Sequence, residues 1–430
     1  MARPTPYHRT TFPGAFRESH QEPGYSGNRQ KIVAPQYPES PKTPGAGQRI
    51  AMVGTLADTI LGFRGELIRD MVRAGHQVYA FATDYTPETE RAILAIGAMP
   101  VRYSMGRLST NPVRDLVSMW QLYRLFRSYN ITCSFAYFTK PSIWGTTAAW
   151  LAGVPLRVAK IEGMGRVFTP GPGGFSLKQR ILQKVIQTLF RTSLSKAHHL
   201  LVLNHDDERE LKAMGLTRPA PNMIGGIGVC LEQYPLSPPV DSTVKFIFVG
   251  RLIPEKGVRY FIEAARALKQ RYPNTEFVVL GAPDDKRGVS KAELQKLVDS
   301  GIVSYPGAVE NVPHWLAQSS VFVLPSYYRE GVPRSTQEAL AMGRPVITTN
   351  MPGCRETVQH GVNGYLVAPH NQHELEAAML QFIQHPEQIA PMGQASHKLA
   401  VERFNVRKIN QTVLTTLGLT KAEQGAELNK

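Results

Sequence analysis

A chain of 430 residues is too long for one hydrophobic core of ordinary size, so two domains are expected. Its hydrophobic content of 42% and charged content of 19% are those of a globular protein, and no apolar run reaches the ~18 residues of a helical membrane span. Three scattered cysteines, Cys133, Cys230 and Cys354, fit neither a disulfide framework nor a zinc cluster, while 49 Lys and Arg against 34 Asp and Glu leave a net charge of +15 that calls for an anionic partner.

Residues 1–47 are rich in Pro, Gly, Ser, Arg and Gln without apolar periodicity, so a disordered arm is expected there; with no apolar h-region, no signal peptide is read and a reducing cytoplasm is the expected compartment. Order is expected from a strand at 49–54, followed by a helix over 64–74 that Gly75 stops and a strand at 76–82. A long helix containing 121–127, a strand at 132–137, a helix at 142–151 and a strand at 157–161 continue the alternation. Strands alternating with helices predict a parallel sheet covered on both faces, a first Rossmann-like domain over 48–230.

The excess charge is concentrated. From 156 to 200 stand Arg157, Lys160, Arg166, Lys178, Arg180, Lys184, Arg191 and Lys196 against Glu162 alone. Within this stretch Ser176 and Gln179 form a capping box, and Leu177, Ile181, Val185, Ile186, Leu189 and Phe190 recur at helical spacing. Such a helix either turns its stripe into the domain core or lies with its basic face on anionic lipid.

Gly225–Val229 and the proline-rich 234–239 read as hinge and linker, and a second domain over 240–418 then repeats the alternation, with strands at 244–249, 276–280, 302–305, 321–324 and 345–349. A polar tail, 419–430, closes the chain. After the fourth of these strands, Tyr328-Arg329-Glu330-Gly331-Val332-Pro333-Arg334-Ser335 leads into a helix that carries Glu338, with Pro333 expected at its first position. Unpaired N–H groups at a helix start suit a phosphate, and carboxylates beside them suit sugar hydroxyls.

Gly250-Arg251 and Lys256 follow the first strand of this domain, at the edge where open parallel sheets bind ligands; Arg251 offers a fork and Lys256 a point charge for a diphosphate. Gly281 and Val309 follow the next two strands, where the backbone could approach a base or simply turn. The stretch from Gly361 to Gly364 reads as a hairpin turn.

Glu330, seven residues and Glu338, the Gly250-Arg251…Glu255-Lys256-Gly257 loop and the Gly361…Asn363-Gly364 stretch, in this order, resemble retaining glycosyltransferases of family 4. The resemblance implies the GT-B fold, two Rossmann-like domains facing a central cleft. It also implies that Arg251 and Lys256 bind the donor diphosphate, that Glu330 contacts the donor hexose, that Glu338 holds the ribose hydroxyls, and that no metal or cofactor is needed.

The first domain looks like enzymes that extend polyprenyl-diphosphate-linked sugars. The match runs through Phe63-Arg64 at a helix start, Arg107 to Pro112, Lys140 before Trp144-Gly145, and Ile161-Glu162-Gly163-Met164-Gly165. Relatives often carry histidine where Thr139 stands. Lys140, Glu162 and Arg107 are the acceptor-side candidates, Glu162 with the alternative of a satisfied structural carboxylate.

The expected activity is sugar transfer, with retention, from a nucleotide diphosphate sugar (UDP-sugar favoured) to a lipid-linked glycan at the cytoplasmic face of an anionic membrane. The rival readings are a nucleotide-sugar epimerase or hydrolase on the same scaffold, and a basic nucleic-acid-binding protein. The latter lacks interleaved aromatic stacking platforms.

Overall fold

The computed structural model describes residues 47–106, 111–171, 174–240 and 243–420. The expected arm, all but its last residue, and most of the expected tail lie outside the described residues. Seven parallel strands form the first sheet: β1 (Arg49–Val53), β2 (Gln77–Ala82), β3 (Ala98–Arg102), β4 (Cys133–Tyr137), β5 (Leu156–Ile161), β6 (His199–Val202) and β7 (Pro221–Met223), in spatial order β3-β2-β1-β4-β5-β6-β7. The central strands are buried along their length, which is why β1, β2 and β4 read as nearly continuous apolar runs.

Several elements differ from the sequence expectation. The first helix begins at Ala57, not at 64, because the Asp84 carboxylate accepts the Ala57 N–H and supplies a cap from 27 residues away. The helix Pro87–Ala95 and β3 also went unread; a Thr86–Thr89 capping box starts that helix, whereas β3 contains Pro100 and pairs only on one side. Helix Pro112–Ser128 is the long helix expected to contain 121–127.

The second sheet has six parallel strands: β8 (Lys245–Val249), β9 (Glu276–Leu280), β10 (Ser304–Gly307), β11 (Val321–Leu324), β12 (Val346–Thr349) and β13 (Gly364–Val367), ordered β10-β9-β8-β11-β12-β13. The Gly361–Gly364 turn does not close a hairpin: Gly364 opens β13, which runs parallel to β12. Because β8 and β11 pair, the loops that follow them are neighbours at the point where strand order reverses, and this is where such sheets bind ligands.

The chain crosses between the sheets twice, and the crossings touch. Val229 N donates to Phe404 O (2.7 Å) and Val406 N to Val229 O (3.1 Å). The last helix, Val406–Thr416, expected with the second domain, returns to the first: Val413 and Leu414 join the core of Ile60, Leu67 and Met71, and Asn410 Nδ2 donates to Asp70 Oδ2 at 2.7 Å. Its apolar stripe is legible, but which core it fills depends on the second crossing.

Candidate active site

The donor-side candidates assemble at the carboxyl edge of the second sheet. Gly257 has φ +77°, and a Cβ there would stand 2.0 Å from Pro325 O, so only glycine lets the β8 loop press against the β11 loop. Glu255 O then accepts from Tyr327 N (2.9 Å), Tyr328 N (3.1 Å) and Ser326 Oγ (3.1 Å), fastening the two loops together. Across this joint Lys256 Nζ lies 2.5 Å from Glu330 Oε1, which also accepts from Ser326 Oγ at 3.1 Å. Both side chains retain a little exposure, 14% and 12%. Arg251 is exposed and forms no ion pair among the described residues. Gly250 and Gly281 follow β8 and β9, Gly307 ends β10, and Gly281 N donates to Gly307 O (3.0 Å). Val309 packs half-buried on the core beside them.

Pro333 is the N-cap and not the first helical residue; its carbonyl accepts from Thr336 Oγ1 (2.7 Å), and helix Arg334–Ala341 follows. Ser335 is half-buried in its first turn, while Val332 is a core side chain, leaving only its backbone for a ligand. Glu338 is held by Arg334 Nε at 3.0 Å and by the Tyr234 hydroxyl, and burial raises its pKa.

The first domain presses directly on the Glu330 loop. Asn204 Nδ2 donates to Gly331 O (2.7 Å) and Glu330 O (3.3 Å), Gly165 N to Arg329 O (3.2 Å), and Arg329 N to Thr169 Oγ1 (3.0 Å). The Arg329 guanidinium pairs with Glu210 and lies 3.4 Å from Asp207 Oδ1. Burial pushes the Asp207 carboxyl up to about 7, although Arg329 and the Asn204 amide oppose the shift. Arg166 Nε reaches Glu255 Oε1 at 3.3 Å, and Arg355 reaches Asp206 at 3.4 Å. None of Asn204, Asp207, Thr169 or Arg329 was singled out by sequence; the one local signal was Asn204 as N-cap of helix His205–Ala213.

Of the acceptor-side candidates, Glu162 stands in a buried ion-pair cluster. Its carboxylate, 6% exposed, is engaged by Arg64 and by Lys160 at 3.2 Å, with Arg64 also 4.4 Å over the Tyr137 ring. Burial depresses Lys160 to about 8, with Arg64 adding to the shift and Glu162 opposing it. Lys140 opens helix Thr139–Leu151 at the cleft edge and is paired with Asp115 (2.7 Å) and Gly106 O (2.8 Å). Arg107 lies outside the described residues.

The basic helix, Leu177–Leu194, has the expected capping box, but its stripe is split. Phe190 is core, whereas Leu177, Ile181 and Val185 face solvent at 75%, 57% and 49% exposure. A second exposed line, Val113, Leu116, Val117 and Trp120, runs along helix Pro112–Ser128. Both helices pack against Thr139–Leu151. From residue 103 to 203 the sequence has thirteen Lys and Arg and two acids, Asp115 and Glu162, both buried in ion pairs. Among the described residues no helix is long and apolar enough to cross a membrane.

Residues 243–385 match the family described as Glycosyl transferases group 1, and residues 63–224 the Glycosyl transferase 4-like domain, most of the chain between them. The N,N'-diacetylbacillosaminyl-diphospho-undecaprenol α-1,3-N-acetylgalactosaminyltransferase of Campylobacter jejuni is 26% identical over 342 residues, 76% of this chain and 87% of that one. An Escherichia coli UDP-Gal:α-D-GlcNAc-diphosphoundecaprenol α-1,3-galactosyltransferase is 26% identical over 59% of this chain and 67% of its own. Among solved structures, Anabaena HepE in complex with UDP-glucose superposes with a TM-score of 0.69 at 18% identity, covering 86% of this chain and 99% of that one.

Proposed function

We propose, from the premise that this chain belongs to the retaining glycosyltransferases of family 4 with the GT-B fold, that it moves a hexose or N-acetylhexosamine from a UDP-sugar to a polyprenyl-diphosphate-linked glycan. The observation that carries the reading is the Lys256–Glu330 pair, set at the strand-order reversal of the second sheet beside exposed Arg251. A donor diphosphate arriving there exchanges its own charge for Glu330 at the lysine, and so frees the carboxylate for the hexose hydroxyls. As the sugar–phosphate bond breaks, negative charge grows on the leaving diphosphate. Lys256 and Arg251, already in place, stabilise that charge without reorganisation. The acceptor hydroxyl attacks from the face the diphosphate leaves, and its proton passes to the departing phosphate oxygen, so no protein nucleophile is required.

The acceptor class is supported by the two relatives, both named for diphospho-undecaprenol substrates. Lys140, at the cleft edge of the first sheet, is assigned to the acceptor side. A seat at the inner face of an anionic membrane is supported by the two exposed apolar lines and by the lack of exposed acids within residues 103–203, each basic residue contributing roughly 1 kcal/mol near such a surface.

The test is a UDP-sugar panel incubated with a polyprenyl-diphosphate-linked aminosugar in anionic vesicles, with the anomeric configuration of the product determined. Transfer with retention is expected, and Glu330→Gln should lower turnover by about 10²–10³-fold. Free sugar or an epimer formed as fast without acceptor would overturn the assignment.

A further inference from the structure

We infer that Asn204 and Thr169 of the first domain are positioning residues for Glu330, so that this carboxylate stands in its working place only while the two domains are closed. The inference rests on the reading of Glu330 as the donor-sugar contact. The loop Arg329–Gly331 belongs to the second domain, yet its main chain is hydrogen-bonded to the first while its key side chain stays with its own. The Arg329 N–H goes to Thr169 Oγ1, the Arg329 carbonyl to Gly165 N, and the Glu330 and Gly331 carbonyls both to Asn204 Nδ2. All of these partners belong to the first domain, whereas the Glu330 carboxylate is held by Lys256 and Ser326 of the second.

The packing is as close as the hydrogen bonding. A Cβ on Gly331 would lie 2.8 Å from Glu162 C, and one on Gly353 would lie 2.2 Å from Gly331 O, so the loop is threaded between one turn from each domain. Moving the domains apart by about 1 Å takes N–H···O contacts beyond hydrogen-bonding range, or else carries Glu330 away from Lys256. Opening the cleft therefore either frees the loop main chain from its first-domain anchors or breaks the Lys256–Glu330 pair.

Asn204 also caps helix His205–Ala213, and the two tasks use different atoms. Its Oδ1 accepts the Asp207 N–H at 2.8 Å as the cap, while its Nδ2 reaches the loop and Asp207 Oδ2. A serine would cap equally well. The amide donor is therefore what the loop uses, and the residue is fully buried at that junction.

Asn204→Ser keeps the cap and removes the donor; Thr169→Val keeps the shape and removes the acceptor. For each, turnover at saturating donor and acceptor is measured together with the melting temperature and the UDP-induced rise in that temperature. The expected result for Asn204→Ser, measured well below its melting temperature, is a turnover loss of about 10–10²-fold, the scale of an ångström misplacement, with the melting temperature lowered because buried carbonyls lose their donor and the UDP response near that of the parent. Thr169→Val should lose several-fold. Unchanged turnover in both variants, or losses that merely track melting temperature or UDP response, would overturn the inference. Glu330→Gln is run alongside. If it is fully active, the reading of Glu330 fails and takes the inference with it; if it is inactive while Asn204→Ser and Thr169→Val are both fully active, the inference alone fails.

Discussion

Gly163→Ala places one methyl group between the two domains. Gly163 has φ +95°, outside the range that L side chains adopt readily, so alanine costs on the order of 1–3 kcal/mol in backbone strain alone. Its Cβ would stand 2.5 Å from Arg329 O, 2.5 Å from Gly331 N and 2.6 Å from Glu330 C, all backbone atoms with no rotamer through which to yield. Ordinary contact begins near 3.4 Å, so the two turns must separate by roughly 1 Å. The residue displaced is Glu330 itself, and a misplacement of that size costs about 10²-fold in rate. Initial rates of sugar transfer at saturating substrates should fall by that factor, with a modest loss of melting temperature and a persistent stabilisation by UDP, since the methyl group meets the loop from the first-domain side. Full turnover in Gly163→Ala would refute the reasoning, because it would mean that the Glu330 loop tolerates an ångström of movement.

Lys256→Met should lower turnover by about 10²–10³-fold and weaken the UDP-induced melting shift, since it removes the cation proposed to stabilise the leaving diphosphate and strands Glu330 with Ser326 as its remaining partner. The buried Asp207, facing Arg329, Glu210 and the Asn204 amide, has a folded pKa raised to about 7 against an ordinary 3.8. Its contribution to stability is therefore fully present below about pH 4 and is lost as pH rises through about 7, on the order of a few kcal/mol, so Asp207→Asn should flatten the melting-temperature profile across that window. A wild-type profile no steeper than that of the variant would contradict the shift. Ile181→Glu combined with Val117→Glu places charge on both exposed apolar lines and should abolish co-sedimentation with anionic vesicles while leaving transfer to a short, water-soluble acceptor analogue intact. Undiminished sedimentation, or sedimentation of the parent that ignores salt, would count against that surface.

The sequence by itself determined the features that depend on neighbours in the chain. Apolar runs interleaved with helical periods identified two parallel-sheet domains, and the β8 and β11 loops carry Arg251, Lys256 and Glu330 because loop residues after a strand in such a sheet lie at one edge whatever packs elsewhere. Where a signal was distant, reading failed: Asp84 starts the first helix 27 residues upstream, and the edge strand β3 was too irregular to read.

Tertiary structure alone decided three matters. Periodicity showed that Leu177, Ile181 and Val185 share a face, but whether anything covers that face depends on which helices lie alongside, and here nothing among the described residues buries it. Glu162 was one carboxylate with two possible fates, and Arg64, 98 residues away, chose the buried ion pair. Arg329 stood beside Glu330 as an unremarked cation until Asp207, Glu210 and Thr169, more than a hundred residues earlier in the chain, were folded against it. Such contacts are properties of two surfaces meeting, and a linear pattern records each surface without its partner.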